Sequence, residues 1–435
     1  MPHCGCGAIA AESSGGPPAN SLAAPLGPPV NAYRMMKNFS TAPLSAQIAA
    51  PAALSSHAVT AGVRASAGEI RDWLRLTLTP ELGAAAVRRL LAAFGVPARV
   101  FAQSAEVLAR VVPAAAARRI LAPPTPATVA QITRTVAWAA QPGCAVLTLA
   151  DSGYPPALLA LPDPPPVLYC LGDTTRLARD MVAIVGSRRA TPQGTRNAAA
   201  FAQALGERGL TIVSGLARGI DAAAHEGSLA TPGGTVAVVG TGVDVVYPPS
   251  NGPLTARISQ AGAVISEFAL GTPPRPDHFP RRNRLIAALG RVTLVIEAAQ
   301  CSGSLITARL AAELGRDVLA LPGSIHAPQS AGCHALIRDG ATLAAAPDDI
   351  LEALGWPATP PRPPGTPDTP ARPAAQQDTA GADAVLEALG YDPVSIDTLC
   401  TRTAMSAADM QQRLVSLELD AQVARLPGGR YQRIV

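Results

Sequence analysis

Four short stretches carry the residue types from which an anion site is built. "AIVGSRRATPQG" ends its apolar run in Gly186, Ser187, Arg188 and Arg189, and "TIVSGLARGIDAAAH" places Ser214 and Gly215 ahead of Arg218. "DHFPRRNRLIAALG" sets Phe279 before Arg281, Arg282, Asn283 and Arg284, and "VIEAAQCSGSLITARL" offers Ser302, Gly303 and Ser304. Glycine lets a ligand approach the main chain, serine donates a hydroxyl, and free N–H groups at a helix start favour an anion. Arginine adds a planar fork that pairs with phosphate, and Phe279 adds a face for a base, the combination that binds single strands without reading sequence. Any one loop is ordinary packing chemistry; together they point to phosphate recognition.

The same chain offers little for catalysis. Asp221 and His225 stand four apart on one expected helix and read as a structural pair, with no nucleophile linked to them. Glu267 and Glu297 each end a strand and read as structural caps or ligand hydrogen-bonders. His278, His326 and His334 lack metal-ligand spacing, as do His3, Cys4 and Cys6, so neither metal nor cofactor is expected. Lys37 is the sole lysine, which removes Schiff-base chemistry downstream and the Walker A loop. "VVGTGVDVV" lacks the third glycine of a dinucleotide fingerprint, so Gly240 and Gly242 read as turn formers. The chain is expected not to be an enzyme.

These loops need a scaffold that brings them side by side. From Ala145, apolar runs rich in valine and isoleucine recur at "AVLTL", "VLYCL", "MVAIVG", "LTIVSG", "TVAVVG", "AVISE", "VTLVIE" and "DVLAL", mostly separated by helix-length segments. Runs apolar throughout mean strands buried on both faces, hence a doubly wound, mainly parallel α/β sheet of extended Rossmann type over 140–356. Such folds bind ligands at the carboxyl ends of their strands. Within them, Leu285, Ile286 and Leu289 should anchor a helix carrying the arginines, and Ile306, Leu310 and Leu314 should mark the inner face of another.

The rest divides into four parts. Residues 1–67 read as a disordered leader. Residues 68–139 read as a small helical domain, with Thr79 and Pro80 starting a helix. "PATPPRPPGTPDTPARP" falls in a proline-rich linker over 357–381. Residues 382–435 give three helices, the third begun at Ser406, then two short strands about Gly428 and Gly429, a winged-helix layout.

Charge sharpens the argument. The chain is +4 overall, yet residues 140–355 hold 16 basic and 17 acidic side chains, and the tail from 382 holds 5 and 7. Binding to a polyanion must therefore come from local arginine rather than from net charge. Seven cysteines, an odd number without paired spacing in the folded part, suit a reducing, cytoplasmic setting, and no apolar run reaches the roughly 18 residues of a membrane span.

With "GTVAVVGTGVDVVYPPSN", "AAELGRDVLALPGS" and "GCHALIRDGA" added, these motifs resemble, in order and wording, the DNA-processing protein A (Smf) family over roughly 145–350. The helical segment resembles that family's accessory sterile-alpha-motif-like (SAM-like) domain, and the tail its winged helix. The resemblance implies a homodimeric single-stranded DNA-binding protein that protects incoming DNA and loads the RecA recombinase in natural transformation, without a cofactor. It assigns the DNA site to Gly186, Ser187, Arg188, Ser214, Gly215, Phe279, Arg281, Arg282, Asn283, Arg284, Ser302, Gly303 and Ser304. His334 stands where the family's motif usually has Asn. The rival reading is a Rossmann-type nucleotide-processing enzyme of the phosphoribohydrolase kind, against which stands the lack of a "PGGxGTxxE" stretch.

Overall fold

The computed structural model describes residues 65–356 and 384–434. The expected linker and all but the last three residues of the expected leader lie outside the described residues.

Six helices open the described chain: α1 (Ala67–Thr77), α2 (Ala84–Phe94), α3 (Pro97–Phe101), α4 (Ala105–Leu108), α5 (Ala114–Leu121) and α6 (Pro126–Ala139). Ser66 and Glu69 cap α1 reciprocally, satisfying two of its free amides. Thr79 and Pro80 do not start a helix. The Thr79 hydroxyl donates to Arg75 O at 2.9 Å, closing the carbonyl end of α1, and α2 begins only after Gly83. Ile70, Trp73 and Leu74 of α1 and Ile132 of α6 pack into one core with Val146, Tyr169, Val243 and Leu270 of the following domain. Arg134 donates to Leu270 O at 2.7 Å, and Arg88 to Pro162 O. The helical segment keeps a core of its own, with Leu76, Leu90, Val100, Leu108 and Ile120 buried together, and joins the sheet domain through α1 and α6.

That sheet has nine strands: β1 (Cys144–Thr148), β2 (Val167–Gly172), β3 (Met181–Gly186), β4 (Thr211–Ser214), β5 (Thr235–Val238), β6 (Ala263–Ser266), β7 (Gly290–Ile296), β8 (Asp317–Ala320) and β9 (Thr342–Leu343). Their order is β1-β2-β6-β5-β4-β3-β7-β8-β9. Pairing is parallel from β6 through β9, while β1 and β2 add an antiparallel edge. After β3 the chain steps one way through β4, β5 and β6, then returns to the far side of β3 as β7. The topological switch point therefore falls between β3 and β7, where the strand order opens a crevice.

Helices α7 (Pro192–Glu207), α8 (Ile220–Ser228), α9 (Gly252–Ala261), α10 (His278–Leu289), α11 (Gly303–Glu313), α12 (Ala331–Arg338) and α13 (Pro347–Ala353) complete the domain. Val182, Ile184, Ile212, Leu294 and Leu319 of the central strands bury against Phe201 and Leu205 of α7, Ile220 of α8 and Ile350 of α13, each large side chain contributing about 1.5–3 kcal/mol. Leu285, Ile286 and Leu289 are buried as expected. The inner face of α11 differs from expectation: Ser304, Thr307, Ala308 and Ala311 are buried, whereas Ile306 is exposed. Small residues let α11 lie close to its neighbours, so Ile306 turns outward and Leu310 and Leu314 are only half-buried.

The last domain contains α14 (Ala384–Leu389), β10 (Val394–Ser395), α15 (Ile396–Thr403), α16 (Ala407–Leu419), β11 (Val423–Leu426) and β12 (Arg430–Arg433). Ser406 caps α16, its hydroxyl accepting from Asp409 N at 3.2 Å, and β12 pairs antiparallel with both β10 and β11. Gly428 and Gly429 make the β11–β12 turn with φ of 83° and 68°, a left-handed geometry glycine adopts without a steric penalty. Leu399, Met410, Leu414 and Tyr431 form its core.

Candidate nucleic-acid interface

A cleft of about 590 Å³ opens at the switch point. Gly186, Ser187, Arg188 and Arg189 wall it after β3, Ala217 and Asp221 after β4, Arg282 and Asn283 from α10, and Ser302, Gly303 and Ser304 after β7. Pro328 and Gln329, from the loop after β8, close the remaining side. Eight of the thirteen residues expected from sequence thus line a single space.

Each wall is held by identifiable chemistry. Gly186 has no room for a side chain, since a Cβ there would strike Ile296 O and the Ile220 side chain. The Ser187 hydroxyl accepts from Arg189 N at 3.1 Å, shaping the turn that presents both arginines to solvent. Ser302 caps α11, and its hydroxyl lies 2.7 Å from that of Ser304. Asn283 donates to Gly303 O at 3.3 Å and accepts from Arg282 Nε at 3.2 Å, joining α10 to the start of α11. A Cβ at Gly303 would meet nothing within 4 Å, so the main chain there is open to a ligand.

Glu297 braces the switch point from behind. It follows β7 directly, in a left-handed conformation, φ 51°. Its carboxylate accepts from Thr191 N at 2.9 Å and from the Thr191 hydroxyl. Thr191 caps α7, so one carboxylate ties the loop carrying Arg188 to β7. Burial raises the Glu297 pKa, against the Thr191 hydrogen bonds that lower it. A Cβ at Gly194 would collide with the Glu297 carboxylate.

Arg282 lies deeper than a surface phosphate contact would. It is buried at 4% exposure, and its Nη1 donates to Gly215 O and Val238 O. Burial lowers its pKa to about 10, opposed by the charge of Asp221, so it stays protonated at neutral pH. Asp221 is itself raised by burial, against the lowering effect of Arg282.

Four expected residues fall elsewhere. Ser214 is fully buried, and its hydroxyl donates to Ile184 O at 2.6 Å; it fastens β4 to β3. Gly215 makes room for the Arg282 guanidinium, which would lie 2.5–2.6 Å from a Cβ. Arg284 is buried and pairs with the Glu267 carboxylate at 2.5 Å, and Arg281 reaches the same oxygen at 3.0 Å. Residues 281 and 284 share a helical face opposed to that of Asn283 and Ile286, so these two arginines turn to Glu267 and not to the cleft. Glu267 and Glu297 do not converge on one another. Nor do Asp221 and His225 act as a pair: His225 Nδ1 lies 2.6 Å from the Thr235 hydroxyl, while Asp221 accepts from Ala217 N at 3.3 Å. Burial, then the Arg282 charge, lowers the His225 pKa to about 3.

Phe279 is half-buried beside the cleft, with the Arg188 guanidinium 5.5 Å from its ring centre and the Tyr247 ring centre at 5.4 Å. Sequence reasoning named Arg189 at the first strand end but left it out of the DNA site, and it missed Asp221 as a wall residue and Gln329. Arg189 was visible beside Arg188; nothing in "SIHAPQS" marks Gln329. Gly240 and Gly242 sit in turns with no helix after them, as expected. His334 Nε2 lies 3.0 Å from Gly323 O, holding the loop that supplies Gln329.

Among the described residues no group of three or more His, Cys, Asp or Glu is placed to hold a metal ion, and no helix is long and apolar enough to cross a membrane. Fold and cleft together define a Rossmann-type α/β protein with an arginine-lined cleft at its switch point and a winged-helix domain toward the end of the chain. The family described as DNA recombination-mediator protein A matches residues 145–355, and the DprA winged helix domain matches 369–429. Protein Smf of Escherichia coli (strain K12) is 39% identical over 302 residues, covering 68% of this chain and 80% of that protein. The DNA processing protein DprA of Streptococcus pneumoniae is 46% identical over 204 residues, 47% of this chain and 72% of that one. The X-ray structure of DNA processing protein A from S. pneumoniae superposes with a TM-score of 0.57 at 35% identity, covering 67% of this chain and 98% of that chain. The chain belongs to the DNA recombination-mediator protein A family of DNA-processing proteins, which includes those named Smf and DprA.

Proposed function

We propose that this chain binds single-stranded DNA in the switch-point cleft as a cytoplasmic homodimer, protects the strand without chemically altering it, and passes it to the RecA recombinase during transformation and recombination. The observation that carries the binding step is the convergence of exposed Arg188 and Arg189 with the open main chain of Gly303 and the capping hydroxyl of Ser302, itself bonded to that of Ser304, in one cleft. Guanidinium forks and a helix N-terminus are the groups that hold phosphate. Family membership supports the hand-over to RecA and the homodimer. A domain with slightly more acidic than basic side chains should bind through this local site, so affinity should fall with salt by a slope that counts the few phosphates neutralised.

A mobility-shift comparison of a single strand with its duplex across a salt series tests the binding step. Strand exchange by RecA on pre-coated single strands, with and without this protein, tests the hand-over. Hydrolysis of nucleoside monophosphates would instead favour the phosphoribohydrolase reading.

A further inference from the structure

We propose that Tyr247, in the loop after β5, supplies the aromatic face on which a base stacks where the strand leaves the cleft, with Phe279 as its backing. The proposal rests on the single-strand reading above and names a residue of that site.

Phe279 is the less available ring. It is half-buried, Arg188 and Tyr247 both lie against it, and the main chain of Gly240 comes so close that an added Cβ would be 3.0 Å from the ring. Tyr247 is 42% exposed, and its ring is tilted 36° to that of Phe279. An exposed tyrosine supported by a second aromatic ring is the arrangement that accepts a base without regard to its identity, because every base has a π-face.

The loop is held in place rather than free to turn away. Asn251 donates to Leu216 O at 3.0 Å and to Ala217 O at 3.3 Å, and Ala217 lines the cleft. The Thr241 hydroxyl donates to Val245 O at 2.8 Å, and Arg218 reaches the Ser250 hydroxyl at 3.2 Å. Exposed Arg218, in the loop after β4, therefore lies against the loop that carries Tyr247, beside the path of the next phosphate. Fixing the ring beforehand lowers the ordering cost of binding.

The test uses the full chain and a fluorescently labelled oligo-dT of 12 nucleotides. Tyr247→Ala should weaken binding about tenfold while leaving the log–log salt slope unchanged, because stacking neutralises no phosphate. Tyr247→Phe should bind as the wild type does, and both variants should melt with it. An abasic site moved along the oligonucleotide should weaken wild-type binding at one position, and at that position Tyr247→Ala should show no further loss. Wild-type binding by Tyr247→Ala, or the same abasic loss in both proteins, would overturn the assignment while leaving the single-strand reading intact. Failure of the wild type to bind any single strand would overturn both.

Discussion

The guanidinium of Arg282 occupies the space that a side chain on Gly215 would fill, and Gly215 O is one of its acceptors. A loop after β4 and a helix before β7 are locked together by this contact, directly beneath the cleft. Arg282 is therefore both a wall of the site and a part of the core.

The first consequence separates two arginines that sequence alone treats alike. Arg282→Ala leaves two buried carbonyls and Asp221 without their cationic partner, so unfolding free energy should fall by about 3–5 kcal/mol, the usual cost of breaking a buried charged pair. Gly215→Ala should show the same direction. Chemical denaturation checks both; a wild-type midpoint for Arg282→Ala would contradict the buried role.

Arg188 is exposed and should behave oppositely. Arg188→Ala should keep the wild-type melting temperature while weakening single-strand binding and reducing the log–log salt slope by about 0.7, the value for one phosphate contact on a single strand. Binding titrations at four or five salt concentrations measure it.

The pair formed by Arg284 and Glu267 should matter to stability and not to the ligand. Glu267→Ala leaves the buried Arg284 with only the half-exposed Asp163 carboxylate, 3.5 Å away, so stability should fall by up to about 3–5 kcal/mol, the cost of breaking a buried pair completely. At temperatures where the variant remains folded, its single-strand affinity should match that of the wild type. A selective loss of affinity without loss of stability would place this pair in the site.

His225 should make the fold sensitive to acid. Its folded pKa, about 3, lies below the ordinary value of 6.5, so between those values the unfolded chain binds a proton that the native state does not. Stability is then fully present above about pH 6.5 and falls by up to roughly 1.4 kcal/mol per unit as pH drops through that window. Asp221, raised by burial, works in the opposite sense, so the diagnostic is a difference. His225→Gln should show a flatter dependence than wild type between pH 6.5 and 4.5, and parallel curves would contradict the assignment.

The sheet was legible because burial on both faces writes unbroken apolar runs, and all eight runs named from sequence are strands. Thr342–Leu343 and Val394–Ser395 were not, since two-residue strands leave no period to read. The site was legible where glycine and serine end a strand, because that chemistry is local. It was not legible within "RRNR", where helical periodicity sends Arg282 and Asn283 to the cleft and Arg281 and Arg284 to Glu267. Which face a helix buries is decided by its neighbours, and the same cause turned Ile306 outward on α11. The Tyr247–Phe279 ring pair was not legible either, because its members lie 32 residues apart in the chain.

The most direct test of the central claim is the affinity of the wild type and of Arg188→Ala for one labelled single strand and for its duplex, measured across the same salt series. The cleft predicts a marked preference of the wild type for the single strand, with weaker binding and a shallower salt slope in the variant at unchanged stability. Equal affinity for duplex and single strand, or identical titrations for the two proteins, would contradict it.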